Sequence, residues 1–461
     1  MGIDALRRRF AAALTRMRDA WRRAEKRLLS HLAWNRAYRL VSYLRSTLWV
    51  VPLVAMLLVL VVTRVLHWVD DYVAWNLTGL DVAGATILFQ TLITLTLSFV
   101  IFTFGFLLVA IQIAGGQLTP RIIATTLLRD SVIKYTAGLN VFTLLFAISA
   151  LNRMAGVVSQ LVTLVAIVLG LASLAAFLFL VDYAARLLRP VRIVAIVADD
   201  GIKVIRDVYP ELGVDHLSDA PAKYSASVGV PVRVVIHTGT SQIVLAVDAA
   251  TLVAEARRLD GVIEFVPQVG DFVAADEPLF RLYGGAEGAD DAVLREAVAF
   301  GPERTMEQDP MFAFRILVDI ALKALSPAIN DPTTAVLSID QIHRLLRYVG
   351  LRHLHGNSVG DADGKVRLLL RTPNWQDFVQ ISCNEIRACG ITSVQIVRRQ
   401  RAMLENLMST LPPQRHAALR QELDTLDLLL PEYYKLPQDL ALAKIADSQG
   451  LGGAADAVSR S

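Results

Sequence analysis

The sequence predicts a membrane protein with four transmembrane α-helices followed by a cytoplasmic α+β region. Of its 461 residues, 54% are hydrophobic and 19% are charged, which is too apolar for an ordinary soluble protein. The apolar excess falls in four stretches between residues 46 and 185, with lengths that match a hydrocarbon layer about 30 Å thick. Short β-branched runs and amphipathic helical patterns follow these stretches.

The first two apolar stretches differ in length. The first covers residues 46–63 and has a tryptophan near each end, as is typical of the two membrane interfaces. The second has no charged residue between Asp81 and Arg121, which is longer than one crossing requires. We therefore expect this helix to protrude from the bilayer and to bend at a hinge near Gly115 and Gly116.

The third and fourth stretches, residues 135–152 and 157–181, predict a helical hairpin because few residues join them. Small residues in the fourth stretch allow close contact between helices. These are Gly170, Ala172, Ser173 and Ala176. A homo-oligomer is therefore expected.

Basic residues indicate the orientation. The first 45 residues contain 12 Lys and Arg and three acidic residues, and the connections after the second and fourth stretches are also basic. Because basic residues are retained on the cytoplasmic side, both termini and everything after about residue 185 should be cytoplasmic. Cys383 and Cys389 would then lie in a reducing compartment, where we expect free thiols.

Residues 1–45 have apolar side chains at three- and four-residue spacing and arginines on the other faces, which predicts a basic amphipathic helix. This helix either lies on the anionic inner leaflet of the lipid bilayer or packs on the cytoplasmic domain. At the other end, residues 449–461 are rich in Gly, Ala and Ser, which predicts a disordered tail.

The second stretch carries a polar face. Gln90, Thr94 and Ser98 recur every four residues, with Gln112 further along, so they share one side of a helix. One interpretation is the lining of a water-filled pore. The other is hydrogen bonding of these groups to neighbouring helices or to their own backbone.

The cytoplasmic region divides in two. Residues 186–285 predict a linking helix and a small β domain, in which "GVIEFVPQVGDFVAADEPLFRL" resembles the barrel-sandwich pattern of biotinyl and lipoyl carriers. No lysine occurs there to carry a prosthetic group, so the resemblance implies shape only and no cofactor is predicted. Residues 286–448 predict a mostly helical domain.

The segment "SPAINDPTTA", Ser326 to Ala335, lies between two helical patterns in that domain. Its prolines and Asp331 predict the end of one helix and the capped start of the next. In the preceding helix, charged residues four apart predict a ladder along one face. The ladder consists of Arg315, Asp319 and Lys323.

A candidate ligand site surrounds this segment. It comprises Arg304, Asp309, Arg315, Asp319, Lys323, Asn330, Asp331, Thr333 and Thr334. The helix N-terminus with a nearby cation would hold an anion, whereas Asp319, Asn330 and Asp331 would coordinate Mg²⁺ or Ca²⁺. A polar network that only fixes the bend between two helices explains the same residues.

Three sequence stretches identify a resemblance to a family. "FLLVAIQIAGGQLTPRIIATTLLRD", "VGDFVAADEPL" and "RTMEQDPMFAFRILVDIALKALSPAINDPTTA" are similar to bacterial predicted membrane proteins of the domain-of-unknown-function 2254 family. The resemblance runs from about residue 44 to 440 and differs at Ala328, where glycine is common. It implies a bacterial inner-membrane protein of this architecture, without an activity or a catalytic residue.

The sequence favours two functions. The first is an oligomeric channel-like or transport-related protein gated by its cytoplasmic domain, and the second is a membrane-tethered sensor or scaffold that binds a cation or an anionic metabolite near Ser326–Ala335. A metal-dependent enzyme using Asp319 and Asp331 is less favoured, because the familiar phosphate-binding, nucleophile and zinc-protease motifs are absent from the sequence. Nucleic-acid binding is not expected, because the basic excess is concentrated near the membrane.

Overall fold

The computed structural model describes residues 33–73, 79–121, 128–154, 158–213, 229–354 and 357–447. Most of the predicted helix at 1–45 and the predicted tail at 449–461 lie outside the described residues. The chain divides into two compact units. The sheet unit comprises Met1–Tyr43, Val204–Phe312 and Arg352–Asn374, and the helical unit comprises Leu44–Lys203, Ala313–Leu351 and Trp375–Ser461.

The described helices and strands are numbered in chain order. The α-helices are α1 (Trp34–Ser46), α2 (Val50–Val73), α3 (Val82–Ile113), α4 (Ser131–Arg153), α5 (Gln160–Leu187), α6 (Pro190–Val208), α7 (Ala249–Arg258), α8 (Asp291–Glu296), α9 (Pro310–Leu325), α10 (Pro332–Gly350), α11 (Trp375–Gly390), α12 (Val394–Thr410), α13 (His416–Tyr433) and α14 (Pro437–Ala443). The strands are β1 (Arg233–Ile236), β2 (Gln242–Val247), β3 (Gly261–Phe265), β4 (Phe272–Val273), β5 (Pro278–Gly284), β6 (Val298–Gly301), β7 (Ser358–Gly360) and β8 (Val366–Leu370).

Three described stretches are long and apolar enough to cross a membrane: Val82–Gly116, Ser131–Arg153 and Gln160–Leu187. These candidate spans coincide with the second, third and fourth predicted spans. The apolar part of α2, Val50–Leu66, is shorter, so the first span stays a prediction.

The long helix α3 starts and ends at identifiable signals. At its start, the carboxylate of Asp81 accepts a hydrogen bond of 2.8 Å from the backbone N–H of Gly84, a typical N-cap. At its end, the α-helix gives way to a π-helical turn at Ala114–Leu118. This turn contains Gly115 and Gly116, where the sequence predicts a hinge, and the hinge itself stays a prediction.

Close packing joins the apolar helices inside the helical unit. A Cβ atom added at Gly138 on α4 would lie 2.7 Å from Cγ1 of Val51, and one at Gly170 on α5 would lie 2.3 Å from Cδ2 of Leu92. Real side chains do not approach so closely, so the glycines let α4 contact α2 and α5 contact α3. Small interfacial residues of this kind are typical of membrane helix pairs.

The sheet unit contains two sheets. The larger has the strand order β1-β5-β3-β8-β7, and the smaller has the order β4-β2-β6. All pairs are antiparallel except β3 and β8, which run parallel with Ile263 opposite Leu368. This arrangement does not confirm the barrel-sandwich shape. The same segment contains a turn at Gly270, which has φ +95°, and the Asp271 carboxylate accepts the Gln268 N–H at 2.9 Å.

The predicted linking helix corresponds to α6, and a further helix, α7 at Ala249–Arg258, lies inside the β region. Helix α6 packs tightly in the helical unit, since a Cβ atom at Gly201 would lie 2.7 Å from Cβ of Ala313. The packing of α6 on α9 places the Ser326–Ala335 segment in the same unit as the candidate spans.

Candidate functional site

The segment Ser326–Ala335 forms a tight connection between α9 and α10. The backbone N–H of Asp331 donates to the Ala324 carbonyl at 2.8 Å, and the N–H of Asn330 donates to the Ser326 carbonyl at 2.8 Å. The Asp331 carboxylate then accepts the N–H of Thr334 at 3.1 Å and also its hydroxyl. Asp331 is therefore the N-cap of α10, as the sequence predicts.

The backbone conformation at position 330 explains why an asparagine is found there. Its φ is +50°, a left-handed conformation that asparagine tolerates better than most other residues. Its side chain is exposed and forms no hydrogen bond within the described part of the chain. Asn330 therefore contributes to the bend through its backbone conformation.

The hydrogen bonds of the Asp331 carboxylate are used to cap α10. The Thr334 hydroxyl, followed by the backbone N–H groups of Thr334 and Thr333, lowers its pKa. A carboxylate held in this way has fewer free lone pairs for a cation. Thr333 itself is exposed.

The charges on α9 form a network with other elements. Nε of Arg315 donates to Oδ1 of Asp319 at 2.7 Å, and its Nη2 donates to Oε2 of Glu385 on α11 at 2.7 Å. Arg121, which follows the π-helical turn, donates to Oδ2 of Asp319. We call Arg121, Arg315, Asp319 and Glu385 the ionic network.

Lys323 is an exception to the predicted ladder. Its side chain is exposed and forms no ion pair with the described residues, whereas Asp319 pairs with Arg315 and Arg121. The prediction of a ladder of three residues is therefore wrong at its third member. The reason is that Arg121, distant in sequence, takes the second side of the Asp319 carboxylate.

The network sets the ionisation of its members. Hydrogen bonds to Glu385 and Asp319 raise the pKa of Arg315. Conversely, the Arg315 guanidinium, with a smaller contribution from Arg121, lowers the pKa of Glu385. The side chain of Asp319 is only 18% exposed, so its two arginines are the groups that balance its charge.

Arg304 and Asp309 form a separate pair within the sheet unit. Nη2 of Arg304 donates to Oδ1 of Asp309 at 3.0 Å, and the same oxygen accepts the N–H of Phe312 at 3.1 Å. Burial raises the pKa of Asp309, and these bonds offset part of that shift. The pair supports the Gly270 turn, because a Cβ atom at Gly270 would lie 2.4 Å from Oδ2 of Asp309.

Six of the nine predicted ligand residues thus belong to three local groups: Arg304 with Asp309, Arg315 with Asp319 in the ionic network, and Thr334 with Asp331 in the cap. The other three, Lys323, Asn330 and Thr333, are exposed. Within the described ranges, no three His, Cys, Asp or Glu side chains converge as metal ligands. Ligand binding at these residues stays a prediction.

The predicted pore residues lie on the outer surface of the helical unit. Gln90, Thr94, Ser98 and Gln112 are all exposed. The Thr94 hydroxyl donates to the Gln90 carbonyl at 3.0 Å, and the Ser98 hydroxyl donates to the Thr94 carbonyl at 2.9 Å. The amide side chains of Gln90 and Gln112 have no hydrogen-bond partner among the described residues. We call these four residues the polar stripe.

A second polar group, inside the apolar helices, is absent from the sequence-based prediction. Asn140 on α4 is 0% exposed, and neither side-chain polar atom has a hydrogen-bond partner within the described structure. One turn away, Thr143 accepts a hydrogen bond of 2.9 Å from Ser173 on α5. The spacing of Thr136, Asn140 and Thr143 within an apolar run was the available signal.

The described cysteines are free, with Cys383 buried and Cys389 exposed. Burial raises the pKa of the Cys383 thiol. Because the thiolate is the reactive form, burial disfavours reaction of Cys383 in the folded state.

Comparison with known proteins identifies a matching family and several relatives of this chain. The family described as "Predicted membrane protein (DUF2254)" matches residues 45–406. An uncharacterized protein of Mycobacterium tuberculosis (strain ATCC 25618 / H37Rv) is 26% identical over 377 residues, which are 77% of this chain and 70% of the relative. An uncharacterized protein of Mycobacterium bovis has the same identity and coverage. No solved structure matches.

Proposed function

The chain belongs to the family of predicted membrane proteins described as DUF2254, and from this premise we propose that it acts as an oligomeric, channel-like or transport-related protein. The observation that carries the proposal is the polar stripe on the outer surface of α3. Lipid cannot satisfy amide groups, and each unsatisfied polar group in hydrocarbon costs several kcal/mol. Gln90 and Gln112 therefore favour a neighbouring copy or water over lipid.

This argument applies to the two glutamines of the polar stripe and not to its two hydroxyl groups. Thr94 and Ser98 bond to their own backbone, so they tolerate lipid at small cost. The amides of Gln90 and Gln112 lie in the first third and in the last turn of α3, respectively. A stripe that runs from one to the other is suited to line a path between copies of the chain.

The proposed setting is the inner membrane of a bacterium, with both termini and the region after residue 185 in the cytoplasm. The distribution of Lys and Arg supports this orientation, and the relatives are bacterial proteins. The basic residues before α2 would then face the anionic inner leaflet.

The ionic network supports gating by the cytoplasmic region. Arg121 lies just after the π-helical turn that ends α3, and π-helical turns are frequent at functional sites. Through Asp319, Arg121 is tied to α9, and through Arg315 that tie extends to Glu385 on α11. A movement of α9 would therefore act on the end of the helix that carries the polar stripe.

The second candidate is a sensor that binds a ligand near Ser326–Ala335. Lys323 and Asn330 favour it, because both are exposed and neither side chain is paired within the described ranges. Since the carboxylates of Asp319 and Asp331 are already engaged, an anionic metabolite fits these residues better than a cation.

Thiol labelling of the reconstituted protein tests the channel proposal. In a Cys389→Ser background, Thr94→Cys and Ser98→Cys should react with a water-soluble thiol reagent. Leu95→Cys, also exposed on α3 but on another side of the helix from the stripe, should not. In planar bilayers with KCl, Gln90→Leu should change the conductance. An unreactive stripe in a monomeric protein would refute the proposal.

A further inference from the structure

A cavity of about 380 Å³ lies in the sheet unit, among α1, α8 and the turn between β1 and β2. Its size is within the range of small-molecule sites. Side chains that line it include Asn35, Arg39, His237, Thr238, Arg295 and Phe300. The lining contains two guanidinium groups and no carboxylate, so its chemistry selects an anion.

The two arginines are placed differently. Nη1 of Arg295 donates to the Ile236 carbonyl at 2.7 Å and to the Thr238 hydroxyl at 2.9 Å, and Nη2 reaches Asp291 at 3.3 Å. These bonds fix Arg295 against the turn. Arg39 is exposed and forms no ion pair with any described residue, so its charge is available to a ligand.

The turn between β1 and β2 adds backbone donors. Gly239 has φ +112°, and the N–H groups of Thr238, Gly239 and Thr240 donate to no acceptor in the described structure. Nε2 of His237 contacts the Thr240 carbonyl at 3.0 Å, and its ring packs on Phe300 with centroids 4.6 Å apart. His237 holds the turn, and Thr238, Gly239 and Thr240 line the cavity. Their N–H groups are therefore available to an anion, as in other backbone anion sites.

Asn35 adds an acceptor that needs a donor. Its Nδ2 donates to the Arg295 carbonyl at 3.4 Å, while its Oδ1 is buried and has no partner among the described residues. A buried carbonyl oxygen without a donor is unfavourable. A ligand with a hydroxyl group next to its anionic group would satisfy both Asn35 and the cations.

We propose that this cavity binds the phosphoryl group of a small hydroxylated phosphate ester, with Arg39 as the charge contact and Asn35 as acceptor for the hydroxyl. Such a group occurs both in free phosphorylated metabolites and in phospholipid headgroups. The site is independent of the polar stripe, so it stands whether or not the protein conducts ions.

Binding by the detergent-purified full chain tests this inference. Glycerol 3-phosphate should bind saturably in calorimetry and raise the melting temperature. Arg39→Gln should weaken binding about tenfold or more, the effect expected for one strong charge-assisted hydrogen bond. Arg36→Gln is the matched control, because Arg36 is exposed on the same helix but does not line the cavity.

Two further measurements complete the test. In one, nanodiscs containing phosphatidylglycerol, whose headgroup carries hydroxyl groups, replace the free ester. Binding there that depends on Arg39 but is absent with glycerol 3-phosphate would assign the site to a lipid headgroup. In the other, Asn35→Leu should reduce the preference for glycerol 3-phosphate over inorganic phosphate. Equal losses in Arg36→Gln and Arg39→Gln, or no binding of either probe, would overturn the inference.

Discussion

Arg121 forms an ion pair with Asp319, although 198 positions separate them in sequence. The pair joins the segment that follows α3 to the middle of α9. Asp319 also bonds to Arg315 at 2.7 Å, and Arg315 pairs with Glu385. One carboxylate therefore connects a candidate membrane span to two helices of the later chain.

Asp319→Asn should destabilise the protein more than Arg121→Gln. The substitution leaves two arginines without their shared counter-ion, and the Asp319 side chain is only 18% exposed. We expect a loss of about 1.5–3 kcal/mol in the free energy of unfolding, which is typical of hydrogen bonds to charged groups. Arg121 is 49% exposed, so Arg121→Gln should cost about 1 kcal/mol or less. Denaturant unfolding in detergent measures both.

Lys323→Gln is the matched control for these variants. Lys323 lies one turn beyond Asp319 on α9 but forms no ion pair with the described residues, so its loss should leave stability nearly unchanged. The double variant Arg121→Gln/Asp319→Asn should lose less than the sum of the single losses, because contacting residues are coupled. If the two single losses of stability are fully additive in the double variant, Arg121 and Asp319 do not interact.

Glu385 should make stability sensitive to acid. Arg315 lowers its pKa, so the folded-state value lies below the unfolded value of about 4.3. The contribution of the pair is therefore fully present above about pH 4.3 and is lost as the pH falls through the folded-state pKa. Between pH 5 and 8, this contribution should be constant.

Melting temperatures measured from pH 7 to pH 3 test this expectation. Glu385→Gln should remove part of the acid-dependent loss that the unmodified protein shows. Glu432→Gln, at an exposed position on α13, should retain that loss. A Glu385→Gln profile that matches the unmodified protein at every pH would contradict the assigned role of Arg315.

Local signals in the sequence predicted much of this structure. Proline, aspartate and glycine mark the limits of α3, α9 and α10, and the structure confirms those helices because capping depends on neighbours in the chain. Of the two ion-pair partners of Asp319, the sequence predicted only one. Arg315 follows from helix periodicity, whereas Arg121 depends on tertiary packing, which spacing does not encode.

The polar side chains of the apolar helices also divide into features that local sequence predicts and features that depend on tertiary packing. The sequence correctly placed Gln90, Thr94 and Ser98 on one face of α3, but periodicity does not tell whether a face turns inward or outward. Asn140 shows the converse, because its full burial depends on how α4 is surrounded by other helices. For the same reason, the cavity beside Arg39 was not predicted, since its lining comes from four separate segments.

Gly270→Ala should be strongly destabilising. A Cβ atom there would lie 2.4 Å from Oδ2 of Asp309 and 2.6 Å from Nε of Arg304, and φ is +95°. We expect backbone strain of about 1–2 kcal/mol, and displacement of the buried ion pair in addition. Gly364→Ala separates the two effects, since Gly364 has φ +77° and no atom within 4 Å of the added Cβ. Equal losses of stability would mean that contact with the pair is unimportant.

Asn140→Leu should increase the stability of the protein. Leucine keeps the branched shape and the number of side-chain heavy atoms, and it removes a fully buried amide that has no partner in the described structure. An unsatisfied buried polar group costs about 1–3 kcal/mol, so the free energy of unfolding should rise by an amount of that order.

Thr143→Val provides the opposite case one turn away on α4. It removes the 2.9 Å hydrogen bond from Ser173, and it should lower stability by about 0.6 kcal/mol, the average for such bonds between membrane helices. If Asn140→Leu also lowers stability, the amide has a polar partner, such as a bound water molecule. If it raises stability but reduces KCl conductance, Asn140 is retained for transport at the expense of folding, because an apolar side chain would otherwise serve better.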